Sequence, residues 1–234
     1  EETEANKAVV RDGITQVFVN GNGDAIDDYW ADPYIQHNPA ANSGVATFKS
    51  FFSNVSPGFY SLTRLIGECD KVLIHGSYQG SGPTFDMLRV DPDSMKMVEH
   101  WDAAAGDSLD GATEVVDVEL TGPNRELVIG FVNNVLIGGT TAEGGNYLAD
   151  DIVDYSAGGE SGAQAFIERV SGITYNTIHH QIADGNFVFT LSEGTEGGTA
   201  YGYYDLFAVE DGKIAEHWGA RLQVQAGVSG EGIF

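Results

Sequence analysis

The chain of 234 residues repeats itself, and this repetition limits the folds open to it more than any other feature. Several residues recur 118 positions later without a gap: Val10, Gly21, Tyr29, Gly44 and Phe48. Near the end of each half, Glu99-His100-Trp101 recurs as Glu216-His217-Trp218 after a shorter turn. Length differences confined to turns are what a duplicated domain tolerates. We therefore predict two tandem domains, 1–112 and 113–234.

The hydrophobic pattern predicts helices followed by strands in each half. Apolar residues recur at helical spacing near the start of the second half, at Val128, Phe131, Val132, Val135 and Leu136. A further helix is predicted around Phe48 and Phe52. The segments 60–104 and 174–224 are β-branched and aromatic and are interrupted by turns. This order predicts an α+β fold in which helices close an apolar pocket on one face of a curved antiparallel sheet.

Charge excludes several classes of partner. The chain has 35 acidic and 11 basic residues, a formal charge of −24, and its 42% hydrophobic content is enough for a folded core. Such a chain repels nucleic acid and anionic membranes, and no apolar run reaches the ~18 residues of a membrane span. Because the acids are dispersed, we favour a surface adapted to saline surroundings over a cationic partner. The compartment stays open between the cytoplasm and export after removal of a signal peptide.

Four segments of the first half carry a resemblance to a known family: YIQHNP (34–39), DKVLIHG (70–76), FDMLRV (85–90) and VEHWD (98–102). With the Gly and Phe residues between them, they resemble the SnoaL-like branch of the NTF2-like superfamily, which has the polyketide cyclase and ketosteroid isomerase-like fold. The resemblance implies two cone-shaped α+β barrels, cofactor-free acid–base chemistry on polyketide or other carbonyl compounds, and a small-molecule partner. It also implies that the two halves of one chain pack together as the two subunits of a dimer do, and that the protein itself is a monomer.

Four residues of the first half are candidate catalytic groups: Asp86, His100, His37 and His75. A carboxylate can abstract a proton next to a carbonyl while an imidazole hydrogen-bonds the developing oxyanion. Strand alternation places Asp86 on the same face as Leu88 and Val90, which suits an inward-facing base. Three of them also have a structural interpretation: a surface or turn-satisfying carboxylate for Asp86, a core histidine bonded to Asp86 or a carbonyl for His100, and a capping or turn-bonding imidazole for His37.

Other residues of both halves are candidates for substrate contact or are counterparts of the catalytic set. The predicted substrate-binding residues, which are equally compatible with plain core, are Trp30, Tyr34, Phe48, Phe52, Trp101 and Asp102. The second half has the counterparts Tyr155, Asp205, His217 and Trp218. It lacks equivalents of His37 and His75, so its motif set is interpreted as degenerate.

We expect an aldol, cyclase or isomerase reaction on a small apolar carbonyl compound, without metal or cofactor. A non-catalytic module that binds a small molecule or a partner is the alternative. A weaker alternative is a metal enzyme using His37, His75 and His100, although the chain has no HExxH motif or other short-spaced ligand pair.

Overall fold

The computed structural model describes residues 1–224 and 232–234, which form two compact units. Unit 1 comprises Glu1–Ala104 with residues 232–234, and unit 2 comprises Ala105–Val224. In the part of the chain that is described, no helix is both long and apolar enough to span a membrane.

Unit 1 contains three α-helices and a five-stranded sheet. The helices are α1 (Glu2–Ile14), α2 (Ile26–Tyr29) and α3 (Val45–Phe52), and a π-helical segment (Thr15–Val19) and a 3-10 turn (Gly23–Ala25) lie between α1 and α2. The strands are β1 (Trp30–Gln36), β2 (Tyr60–Glu68), β3 (Lys71–Tyr78), β4 (Gly82–Asp91) and β5 (Lys96–Ala104). The sheet order is β1-β5-β4-β3-β2, with β1 parallel to β5 and the other pairs antiparallel.

Unit 2 has a sheet of the same order. Its α-helices are α4 (Thr121–Phe131) and α5 (Ala163–Val170), accompanied by a π-helical segment (Val132–Ile137) and 3-10 turns at Val118–Leu120 and Thr141–Asn146. Its strands are β6 (Leu148–Asp154), β7 (Ile173–Asp184), β8 (Phe187–Glu196), β9 (Thr199–Glu210) and β10 (Lys213–Gln223). They are ordered β6-β10-β9-β8-β7, with β6 parallel to β10. The predicted α+β class is confirmed, but the prediction of a purely antiparallel sheet is wrong, because the first strand of each unit pairs in parallel with the last.

In each unit the helices cover one face of the sheet, which we call the inner face. In unit 1 the helical residues Val10, Val17 and Phe18 share a buried cluster with strand residues such as Ile74 and Leu88. In unit 2 the corresponding cluster joins helical and strand residues, among them Val128, Phe131, Val135, Val188 and Phe207. Burial of each large apolar side chain contributes about 1.5–3 kcal/mol.

A glycine with positive φ starts the helix that follows the first strand of each unit. Gly44 precedes α3 with φ 98° and Gly162 precedes α5 with φ 104°. The Gly44 N–H donates to the Tyr34 carbonyl at 2.7 Å, and the Gly162 N–H donates to the Ile152 carbonyl at 2.7 Å. Because a residue with a Cβ is strained at these φ values, glycine is required where the chain turns back from the strand.

Candidate functional site

Asp86 lies on the inner face of unit 1 and accepts three side-chain hydrogen bonds. Tyr60 donates its hydroxyl to Oδ2 at 2.9 Å, Tyr78 donates to Oδ1 at 3.2 Å, and His100 Nε2 is 3.1 Å from Oδ1. The Asp86 side chain is 3% exposed. Its cross-strand neighbours are Ile74 on β3 and Asp102 on β5. Asp86 is therefore an inward carboxylate held from three sides.

Gln36 orients the imidazole that faces Asp86. Its Oε1 accepts the Asn38 N–H at 3.0 Å, which leaves Nε2 directed at His100 Nδ1, 2.9 Å away. An amide Nε2 only donates, so Nδ1 accepts and the ring proton of neutral His100 resides on Nε2, facing Asp86. This arrangement follows from parallel pairing of β1 and β5, which places Gln36 opposite His100.

Burial and the neighbouring carboxylates shift the pKa values of this cluster. Burial alone would lower the pKa of His100, but Asp102 and the hydrogen bond to Asp86 outweigh it, so the pKa is raised. Burial, together with repulsion from Asp86, raises the pKa of Asp102 against the opposing effects of His100 and Asn38. Burial and Asp86 also raise the pKa values of Tyr60 and Tyr78, which keeps both as hydroxyl donors.

Asp102 directly neighbours Asp86 and has one oxygen available. Asn38 Nδ2 donates to its Oδ2 at 2.7 Å, whereas Oδ1 has no hydrogen-bond partner among the described residues and lies 3.7 Å from His100 Nδ1. Because its pKa is raised, this side chain keeps its proton to a higher pH than an exposed aspartate does. Asp86 and Asp102 thus place a carboxyl group that is held by three side chains beside a second carboxyl group with one oxygen that has no hydrogen-bond partner among the described residues.

Four of the predicted aromatic residues belong to the apolar cluster of unit 1. Trp30 stacks on Phe48 with centroids 5.0 Å apart, and Tyr34 stacks at 6.4 Å on His100. Phe52 packs against the same cluster. The acidic pair and His100 therefore adjoin an apolar, aromatic environment.

His37, His75 and Trp101 lie on the opposite face of the sheet, so these two predicted catalytic histidines and this predicted substrate-binding residue do not meet Asp86. His37 stacks on Trp101 at 4.4 Å and its Nε2 lies 2.9 Å from Glu99 Oε1. His75 stacks at 4.2 Å on Phe85, its cross-strand partner. The alternation of side chains along a strand separates these residues from Asp86, so of the four catalytic candidates only Asp86 and His100 meet.

Unit 2 has a comparable buried cluster that sequence reasoning interpreted as degenerate. His217 Nε2 lies 3.0 Å from Asp205 Oδ1, and its Nδ1 lies 2.9 Å from Asp154 Oδ1. Tyr175 donates to Asp205 at 3.3 Å, and Arg169 Nε is 2.7 Å from Asp154 Oδ2. Burial alone would lower the pKa of His217, but the two carboxylates raise it, whereas His217 and Arg169 outweigh burial and lower the pKa of Asp154.

Tyr155 and Trp218 take no part in that cluster. They stack on each other with centroids 5.3 Å apart, and Trp218 Nε1 donates to the Asp110 carbonyl at 3.0 Å. Trp218 immediately follows His217 on β10 and faces the other side of the sheet. This pair occupies the same place in its sheet as His37 and Trp101 do in unit 1.

Sequence reasoning missed the residues that orient the two imidazoles. Gln36 and Asp154 lie opposite His100 and His217 in the parallel strand pairs. Gln36 and Asp154 are 118 positions apart, so aligning the two halves of the sequence places them at the same position of the repeat. Across the described residues, no group of three or more His, Cys, Asp or Glu side chains has the geometry to hold a metal ion.

Several solved structures are similar to part of this chain. A candidate ketosteroid isomerase from Kribbella flavida is 17% identical, with a TM-score of 0.38, over 46% of this chain and 82% of its own. An NTF2-like protein of unknown function from Cytophaga hutchinsonii is 16% identical over 48% and 95%, with a TM-score of 0.39. An LEH-like epoxide hydrolase from M. tuberculosis is 21% identical over 44% and 84%, with a TM-score of 0.38.

The family comparison concerns the second half of the chain. No curated protein matches the sequence. Residues 128–217 match the model of the SnoaL-like domain, and they include β6 to β9, the Asp154 and Asp205 carboxylates and His217. The segment 128–217 is thus similar to a SnoaL-like domain.

Proposed function

We propose that unit 1 is a cofactor-independent acid–base enzyme that enolises a small apolar carbonyl compound, as an isomerase, aldolase or cyclase does. The observation that carries the proposal is the pair Asp86 and Asp102, directly opposite each other on the inner face. Two neighbouring carboxyl groups in different hydrogen-bonding environments can serve as base and acid.

Asp86 would be the base. A carboxylate has about four lone-pair positions, and among the described residues Oδ2 of Asp86 accepts one hydrogen bond, from Tyr60. A lone pair of Oδ2 therefore stays available for a substrate proton. In the proposed step the substrate Cα–H bond breaks and its proton forms an O–H bond on Asp86. The electron pair of the C–H bond forms the C=C bond of the enolate, and the π pair of the C=O bond moves to the carbonyl oxygen.

Asp102 would stabilise the resulting enolate. In this scheme Asp102 is protonated; its pKa is raised by burial and by Asp86, and its Oδ1 has no hydrogen-bond partner among the described residues. A carboxylic acid in an apolar site is a strong hydrogen-bond donor to an oxyanion. His100 acts on Asp86 through Nε2 and is held by Gln36, so it is a positioning residue in this scheme.

Residues around the acids indicate the substrate class. Aromatic side chains, including Trp30, Phe48 and Tyr34, form the adjoining cluster, so an apolar body suits the site. A formal charge of −24 disfavours an anionic substrate. A neutral ketone or polyketide-like compound meets both conditions.

Exchange of α-protons tests this function without knowledge of the natural substrate. The full chain is incubated in D2O with cyclohexanone, 2-tetralone and acetylacetone, and proton NMR follows the loss of the α-protons. We expect exchange above the buffer rate, and at least a hundredfold loss in Asp86→Asn, because the base is removed while the hydrogen-bonding shape is kept.

Glu99→Gln is the matched control. Glu99 is a partly buried acid adjacent to His100, but it lies on the opposite face with His37 and Arg89. Its exchange rate should equal that of the wild type. Wild-type rates in Asp86→Asn would contradict the proposal, as would an absence of exchange for all three ketones. Ketone binding without exchange would support the non-catalytic binding alternative.

We also propose that the chain consists of two tandem SnoaL-like domains, 1–112 and 113–234. Identical sheet orders support this, as do the parallel pairs in which Gln36 faces His100 and Asp154 faces His217. The glycines that start α3 and α5 add independent support. The dispersed acids support the further proposal that the protein works in saline surroundings.

A further inference from the structure

Unit 2 buries three hydroxyl groups that have no hydrogen-bond partner among the described residues. They belong to Thr190, Ser192 and Tyr203, which are 0%, 0% and 4% exposed. A buried hydroxyl without a partner destabilises a fold, and native proteins retain few of them. Three at neighbouring strand positions need partners that the described residues do not supply, either ordered water or a bound ligand.

The three residues are neighbours on one face of the sheet. Ser192 on β8 lies directly opposite Tyr203 on β9, and Thr190 lies opposite Asp205. The next pair in the same register, Val188 and Phe207, belongs to the buried cluster under the helices. Because alternate residues of a strand share a face, all three hydroxyl residues lie on the inner face.

An open cleft is lined by β7, the strand that pairs with β8. It has a volume of about 470 Å³ and lies between the π-helical segment Val132–Ile137 and strand β7. Two residues of its lining, Ile178 and Gln181, are the cross-strand partners of Ser192 and Thr190. Strand β7, which lines the cleft, therefore lies one strand spacing, about 4.8 Å, from β8, which carries Thr190 and Ser192, and two spacings from β9, which carries Tyr203. A ligand that reached the buried hydroxyls would displace the half-buried side chain of Ile178.

The lining of the cleft favours a neutral, hydrogen-bonding ligand. It consists of amide, hydroxyl, imidazole and isoleucine side chains from Asn133, Ile137 and residues 176–181, with no carboxylate, ammonium or guanidinium group. Beside the hydroxyls, the carboxylates of Asp154 and Asp205 are matched by Arg169 and His217. Hydroxyl groups both donate and accept, so they pair well with other hydroxyls.

We propose that unit 2 binds a neutral, hydroxyl-rich small molecule, of the monosaccharide or polyol class, in this cleft. Its hydroxyls would pair with those of Thr190, Ser192 and Tyr203, while Asn133 and Gln181 hold the part nearer the solvent. This site is separate from the Asp86 site and does not depend on the function proposed for unit 1.

Saturation-transfer NMR on the full chain tests the proposal with defined probes. The neutral probes are glycerol, xylitol, D-glucose and D-galactose, and the charged analogues are glucose 6-phosphate and glucosamine. We expect transfer to at least one neutral probe and at least tenfold weaker binding of glucose 6-phosphate and glucosamine than of that probe. The variants Thr190→Val and Ser192→Ala should each weaken binding at least tenfold, while the melting temperature stays unchanged or rises because an unpaired hydroxyl has been removed.

Thr84→Val is the matched control, since the Thr84 hydroxyl is also buried but donates to the Ala103 carbonyl at 3.2 Å in unit 1. Its melting temperature should fall while probe binding stays at the wild-type level. The proposal is overturned if no neutral probe binds, if a charged analogue binds more tightly, or if Thr190→Val and Ser192→Ala bind as the wild type does. Lower melting temperatures in those two variants with unaltered binding would assign the hydroxyls a structural role instead.

Discussion

Replacing Asp154 by alanine should strongly destabilise unit 2, because the change leaves a buried imidazole with one ionic partner. The Asp154 side chain is 0% exposed, and its oxygens engage His217 at 2.9 Å and Arg169 at 2.7 Å. It also accepts the Ser156 N–H at 3.1 Å. The substitution removes all of these interactions at once.

The size of this destabilisation depends on which interactions His217 and Arg169 keep once Asp154 is removed. Breaking a buried ion pair by removing one member costs about 3–5 kcal/mol. His217 keeps Asp205 at 3.0 Å and has the Ser156 hydroxyl 3.1 Å from Nδ1. Arg169 is 30% exposed and can be hydrated. We therefore expect the lower end of the range, about 3 kcal/mol. With a urea m-value of about 2 kcal/mol/M, the midpoint should fall by about 1.5 M.

The loss should depend on pH in a defined direction. The pKa of Asp154 is lowered in the fold, so its contribution is present above the unfolded value of about 3.9 and is lost as pH falls through the folded pKa. The pKa of His217 is raised, so its contribution is present below about 6.5 and is lost as pH rises through the folded pKa. The difference in free energy of unfolding between the wild type and Asp154→Ala should be largest between about pH 4 and 6.5.

Urea unfolding followed by circular dichroism at pH 3, 5.5 and 9 measures this effect. Asp151→Ala is the matched control, because Asp151 lies on the same strand and is exposed. Its free energy of unfolding should stay within about 0.5 kcal/mol of the wild type. A loss below about 1 kcal/mol for Asp154→Ala at pH 5.5, or a loss that is equal at all three pH values, would refute the reasoning.

Three further predictions concern the whole chain and its backbone. Self-repulsion from a charge of −24 should be screened by salt, so the melting temperature should rise from dilute buffer to 1 M NaCl; a fall would contradict a salt-adapted surface. Gly162→Ala should cost about 1–3 kcal/mol in urea unfolding because φ is 104°, whereas the exposed Gly122, which has open space around it, should tolerate alanine. Light scattering should give a monomer near 25.0 kDa, and a stable dimer would count against pairing of the two halves within one chain.

Much of the fold could be predicted from local patterns. Helical spacing at Val128, Phe131 and Val135 and β-branched runs after Tyr60 predicted the α+β class, because side-chain periodicity is a property of neighbouring residues. Alternation along β4 also predicted that Asp86 faces inward. These inferences required no knowledge of which strands are adjacent.

Pairing between strands that are distant in sequence determines which residues meet at the candidate site. His37 and His100 are both histidines in strand-like segments, yet the parallel pairing of β1 with β5 places Gln36, not His37, against His100. The same pairing in unit 2 brings Asp154 to His217. Strand register is set by turns and by burial of the whole sheet, so it cannot be read from one segment.

By itself, the sequence determined the order of helices and strands, the excess of negative charge and the inward orientation of Asp86. The tertiary structure alone decided that Asp102 lies beside Asp86, that His37 and His75 lie on the other face, and that His217 is held between two carboxylates. The physical reason is that a side chain's face follows from its own strand, whereas its neighbours follow from contacts made across the sheet.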